Sequence, residues 1–158
     1  MKRLLIIFLL LNINHCFCQD NVIIEDSKSL PKLTGFVNDF ENIFESHEKF
    51  GLKSSTQSFQ KQTSIGIIIV TIDSIAPYKD IYDYSLALAK DANIGCVLIV
   101  VSKKIRKIQI QNCDPILEKL TDDETKLIIE NFIIPEFKKD NYYKGLLNGI
   151  AEIKKELR

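Results

Sequence analysis

Two stretches constrain this 158-residue chain more than any others: "SIGIIIVTID" at 64–73 and "CVLIVV" at 96–101. Both are apolar almost throughout and rich in β-branched residues. A strand with one wet face alternates polar and apolar side chains, whereas a strand covered on both faces does not. Both runs are therefore predicted to be central strands with helices on their two sides. Between them, Lys79 to Lys90 carries Ile81, Tyr84, Ser85 and Leu88 at helical spacing. "KIQIQ" at 107–111 does alternate, so it is predicted to pair as a hairpin partner across the polar turn Ser102-Lys103-Lys104.

The flanks read as helices. One is expected from about Ser46 to Gln62, with Leu52, Thr56 and Phe59 inward, although Gly51 lies inside it. Upstream of it, Pro31 and Gly35 argue against regular structure. A further helix is expected to start at Thr121. That residue is placed as an N-cap, Glu124 closes a capping box, and Asp122 and Asp123 sit in the first turn, where the helix dipole favours negative charge. Pro135 is expected to stop or kink this helix. The last helix, near Tyr142 to Leu157, carries Tyr143, Leu146, Leu147, Ile150 and Ile153 on one stripe. The order helix, strand, helix, strand, strand, helix, helix implies an α/β domain in two or three layers.

The first twenty residues stand apart. "MKRLLIIFLLLNINHCFCQD" has a basic start, an apolar run from Leu4 to Leu11 and a short polar exit, the layout of a secretory signal peptide. The apolar run is shorter than the roughly 20 residues of a membrane span; an uncleaved anchor is the alternative. Cleavage after Cys18 puts Cys16 and Cys18 at the −3 and −1 positions. The chain then divides into a signal peptide at 1–18, a polar leader at 19–30 and one domain at 31–158, with a periplasmic or secreted destination and no transmembrane span. Lys2 and Arg3 leave with the signal, so 21 basic residues become 19 against 21 acidic ones, a net charge of −2. That balance points away from nucleic acid and from an anionic membrane surface. Cys96 and Cys113 remain. A register with Val101 opposite Ile108 also sets Cys96 opposite Cys113, so the two are read either as a disulfide or as two buried free thiols.

Several chemistries lack their parts. His47 is the one histidine left after residue 18, which serves neither a closed Cys/His zinc site nor a Ser-His-Asp triad. No Gly-x-Ser-x-Gly turn and no glycine-rich phosphate loop occurs. Carboxylates remain, notably in "IQNCDPILEKLTDDE" at 110–124, and they suit hard cations such as Ca²⁺ or Mg²⁺.

The ordered pieces resemble one family. "GFVNDF", "SIGIIIVTIDSI", "YSLALAKDANIG", "CVLIVV" with "RKIQI", "LEKLTDDE" and "PEFKKDNYYKGLLNGI" follow one another as in TPM domains. These are found in thylakoid-lumen phosphatases, photosystem II repair proteins, receptor modulators and many exported bacterial proteins. The resemblance implies a compact sandwich with a central mixed β-sheet flanked by helices, and a groove near the strand tips. It implies divalent-metal binding and acid phosphatase activity as found in some members. Asp39, Glu118 and Asp122 would then be ligands or water positioners, with Asp123 beside them. Asp114 either replaces a turn glycine or adds an oxygen ligand. Members carry an Asn-Gly loop after Ile-Gly and a Gly-aromatic-Gly turn before Leu-Glu; here "NIGCVLIVV" and "NCDPI" stand instead. The expectation is accordingly a non-enzymatic accessory module that binds an envelope protein, with a bound divalent cation, Ca²⁺ or Mg²⁺, left open. The alternative is a metal-dependent acid phosphatase acting on phosphomonoesters.

Overall fold

A computed structural model describes residues 30–92 and 97–158. The expected signal peptide at 1–18, nearly all of the expected leader at 19–30, and Cys96 lie outside the described residues.

Four strands form one mixed sheet in the order β1-β2-β3-β4. β1 (Val37–Asp39), β2 (Ile67–Thr71) and β3 (Val97–Ser102) run parallel. β4 (Lys107–Asn112) returns antiparallel beside β3, with Val101 opposite Ile108 as the sequence predicts. Every residue of β3 is buried. Alternation explains why both central runs are apolar: side chains two apart share a face. Ile67, Ile69, Val97, Ile99 and Val101 join the larger core cluster, while Val70, Leu98 and Val100 join a second cluster.

Helices cover both faces. α1 (Ser46–Thr63) packs Leu52 and Phe59 into the larger core, and α2 (Ile81–Asp91) packs Ile81, Tyr84 and Leu88 into the other. Residues buried in α2 are Ile81, Tyr84, Ser85 and Leu88, the set its spacing predicts. The chain steps from β1 to β2 to β3 in one direction across the sheet, yet α1 and α2 lie on opposite faces. The two crossovers must therefore have opposite hands, and one of them departs from the usual right-handed rule.

The remaining helices extend the α1 layer. α3 (Asp114–Leu117) is one short turn with Pro115 near its start. α4 (Asp122–Ile128) begins at the predicted box: the Thr121 hydroxyl accepts from the Glu124 amide, and the Glu124 side chain accepts from the Thr121 amide. The Thr121 amide and the Thr121 hydroxyl both donate to the Glu124 carboxylate, and these two bonds hold that carboxyl below its ordinary value. A π-helical turn, Ile129–Ile133, then leads directly into α5 (Ile134–Phe137). Pro135 sits in the first turn of α5, so the helical path continues through it instead of stopping. The wider π turn accommodates a residue with no N–H to donate. α6 (Tyr142–Glu156) buries Leu146, Ile150 and Ile153 together with Gly145 and Gly149. Tyr143 and Leu147 are half-buried against the same core.

Two elements were not legible in the sequence. β1 is only three residues long, too short to display a period, and it exists because it pairs with β2. α3 is four residues inside a stretch that reads as loop. Among the described residues no helix is long and apolar enough to cross a membrane.

Candidate functional site

The loops after β1 and β2 leave the sheet toward opposite faces. In open α/β sheets this divergence opens a crevice at the carboxyl ends of the strands, the usual place for a ligand. Asp39 ends β1 and Thr71 ends β2 at that edge, directly opposite one another in register.

Asp39 is committed there to structure. Its Oδ1 accepts from the Thr71 hydroxyl at 2.7 Å and from the Ile43 amide at 3.1 Å. Oδ2 accepts from the Phe44 amide at 3.2 Å and lies 3.4 Å from Lys49 Nζ. Its side chain is 3% exposed. A carboxylate offers about four acceptor positions; three of them take these hydrogen bonds, and Lys49 balances the charge. This is the hydrogen-bonded turn carboxylate that an aspartate before a loop commonly forms.

Glu41 makes the second link. Its two carboxylate oxygens accept from the amides of Lys103 and Lys104, at 2.8 and 2.7 Å, tying the β1–α1 loop to the β3–β4 turn. Lys103 in turn pairs with Asp140 at 2.8 Å and lies 5.2 Å from the ring centre of Tyr142. The Asp140 hydrogen bond raises the Lys103 pKa, keeping the ammonium charged. On the α2 side, a cleft of about 280 Å³ is lined by Phe40, Asp73, Ser74 and Tyr84 among others. Burial, with Tyr78 and Asp73 close by, pushes the Tyr84 phenol up to about 12.

Glu41→Gln should loosen the tip of the hairpin. One charge-assisted bond to a backbone amide is lost, at a cost of about 1–2 kcal/mol. Faster hydrogen exchange at the Lys103 and Lys104 amides, with the helix amides unchanged, is the expected reading.

The other acidic candidates are elsewhere. Asn112, the last residue of β4, pairs with Val97 at the start of β3. Its side-chain amide donates to Leu120 O at 3.0 Å and Thr125 Oγ1 at 2.9 Å, fixing the start of α4 at that same end of the sheet. Asp114, Glu118, Asp122 and Asp123 therefore cluster around the edge where the parallel strands begin, and Asp39 lies where they end. Asn112 is four residues along β4 from Ile108, which is level with Asp39 through Thr71 and Val101. At strand spacings this separates them by roughly 13 Å along the sheet and about 14 Å across it.

The structure thus does not bring Asp39 together with Asp114, Glu118, Asp122 and Asp123, and oxygen ligands about 2.4 Å from a cation cannot bridge that gap. Among the described residues no three His, Cys, Asp or Glu side chains converge to hold a metal ion. The residues present therefore do not fit a cation shared by these five carboxylates. Cys113 is half-buried just ahead of α3, and its proposed partner Cys96 lies outside the described residues.

Sequence reading missed Glu41, Asp73, Lys103 and Asp140 at the strand-tip edge. Two of these had a usable signal: Asp73 closes one predicted strand and Lys103 comes just after another, where parallel sheets place their ligand loops.

A mixed sheet between two helical layers, with a polar edge at the strand tips, is the architecture of one known class of domain. A family model for the TPM domain matches residues 37–156, and the chain belongs to that family. Solved structures agree on the fold. The N-terminal domain of a P. gingivalis protein has a TM-score of 0.72 at 22% identity, covering 78% of this chain and 82% of that one. The BA42 protein of the psychrophilic bacterium Bizionia argentinensis gives 0.66 at 21% identity, covering 75% and 83%. The N-terminal domain of a Corynebacterium glutamicum protein gives 0.65 at 12% identity, covering 81% and 84%. No curated protein matched the chain.

Proposed function

We propose that this TPM domain is an exported accessory module that binds a partner protein in the cell envelope and performs no chemistry of its own. The observation that carries the reading is Asp39. The carboxylate that would be a cation ligand at the strand tips is buried, accepts hydrogen bonds from Thr71, Ile43 and Phe44, and is paired with Lys49. The neighbouring carboxylates Glu41 and Asp140 are likewise engaged, by backbone amides and by Lys103. Phosphoryl transfer needs positive charge and a positioned water at one point, and the two lysines bound into this network, Lys49 and Lys103, are already paired with Asp39 and Asp140. Export is supported by the basic and apolar pattern of the first eighteen residues.

Calcium and magnesium titrations of the chelator-treated protein test the reading. A cation held by the folded state raises the melting temperature in proportion to the logarithm of its concentration. The expected result is no shift at millimolar metal and no hydrolysis of a small phosphomonoester. A shift abolished by Asp39→Ala, accompanied by turnover, would replace the module with a metal-dependent acid phosphatase. A shift lost in Asp122→Asn and kept in Asp39→Ala would instead add a Ca²⁺ or Mg²⁺ site at Asp114, Glu118, Asp122 and Asp123 to a module that is still not an enzyme.

A further inference from the structure

The β4 side of the sheet has a feature that shares only Asp140 and Tyr142 with the strand-tip network. Between the β3–β4 turn and the α5–α6 turn lies a cleft of about 580 Å³. Its floor is apolar, with Ile108, Ile134, Phe137 and Tyr142. Its rim is basic, with Arg106, Lys107 and Lys138, all exposed. None of these three cations has an ion-pair partner among the described residues. The one acidic residue of the lining, Asp140, is already held by Lys103.

The backbone beside this cleft is also unpartnered. Val97 donates to Gly66, and Ile72 donates to Val101, so the odd-numbered residues of β3 bond toward β2. The even-numbered ones then bond toward β4, where Leu98, Val100 and Ser102 face Gln111, Gln109 and Lys107. The amides and carbonyls of Ile108, Ile110 and Asn112 consequently point off the free edge of the sheet. The Gln109 side chain covers the Ile110 carbonyl at 3.0 Å. No described segment bonds the main chain of Ile108, at the cleft.

From this we infer that the cleft is a docking site for a short, extended, acidic segment of a partner protein. The segment adds main-chain hydrogen bonds at Ile108, sets an apolar side chain on Phe137 and Tyr142, and places carboxylates among Arg106, Lys107 and Lys138. An unpaired edge supplies affinity without sequence preference, and the pockets and charges beside it supply the selection. Guanidinium and ammonium groups without internal partners favour a carboxylate over a neutral or basic side chain. The inference rests on the binding-module reading and names the chemistry of its partner.

The probe is a random short-peptide display library selected on the purified protein, followed by amide chemical-shift mapping with the enriched peptide. Enrichment of acidic residues next to an aromatic or branched apolar residue is expected. Shifts should concentrate at Arg106 to Ile110 and Lys138 to Tyr142. Arg106→Glu with Lys138→Glu should weaken binding by about tenfold or more, as for the loss of close charge pairs. Both residues are exposed, so an unchanged melting temperature is the control for folding. Failure to enrich any peptide, enrichment of basic or neutral peptides, shifts mapping elsewhere, or self-association through the β4 edge would each overturn the inference. Shifts elsewhere would leave the binding-module reading standing, whereas metal-dependent phosphomonoester turnover would remove that reading directly.

Discussion

Asp39→Asn should lower the stability of the metal-free protein by about 2–3 kcal/mol. The carboxylate is buried and accepts from two backbone amides and the Thr71 hydroxyl while balancing Lys49. An asparagine supplies one acceptor oxygen and replaces the other with a donor. At least one of the Ile43 and Phe44 amides is then left unpaired in a buried turn, and Lys49 loses its counter-ion. For a domain of this size the loss corresponds to a fall in melting temperature of roughly 5–10 °C. The sign is the informative part. A carboxylate kept for a cation is repelled by its fellow ligands when the cation is absent, so neutralising it would hold or raise the melting temperature. A rise in the metal-free protein would therefore refute the structural role given to Asp39.

Gly145→Ala is expected to cost about 2 kcal/mol net, although alanine is the better helix former by about 1 kcal/mol. A Cβ at this position would stand 2.7 Å from the Phe137 ring and 2.9 Å from the Ile133 carbonyl oxygen. That carbonyl belongs to the π-helical turn, so it cannot retreat without shifting the segment that packs on α6. At Gly149 a Cβ would meet side-chain atoms instead, Ile133 Cδ1 and Cγ1 at 2.5 Å and Ile128 Cγ2 at 3.8 Å. A side chain can turn away where a backbone carbonyl cannot, so Gly149→Ala should cost clearly less. Denaturant melts of the two variants, compared at equal slope, measure the difference. Equal losses, or a Gly145→Ala protein as stable as the parent, would show that the π turn and α6 are not in rigid contact.

The parts of the fold that were legible depend on short-range regularities. The facing of α2, the capping box at Thr121 and the Val101–Ile108 register each follow from residues within about a dozen positions of one another. β1 escaped because three residues carry no period, and α3 because a single turn leaves no amphipathic stripe. Pro135 was legible as a disturbance, but its effect was set by the π turn ahead of it, which forms where Ile133 packs against Gly145 and Gly149.

The sequence by itself determined the central strands, most of the helices, the hairpin and the membership of the TPM domain family, because periodicity, capping and ordered motifs are properties of neighbouring residues. It also presented five carboxylates as one candidate set, since nothing in a linear chain distinguishes the two ends of a sheet. Only the tertiary structure decided that. Parallel β1 puts Asp39 at the finishing edge of the strands, antiparallel β4 delivers Asp114, Glu118, Asp122 and Asp123 to the starting edge, and Thr71, thirty-two residues from Asp39, occupies its carboxylate. Strand direction and register fix which charges can meet, and those depend on pairings too distant along the chain to be read locally.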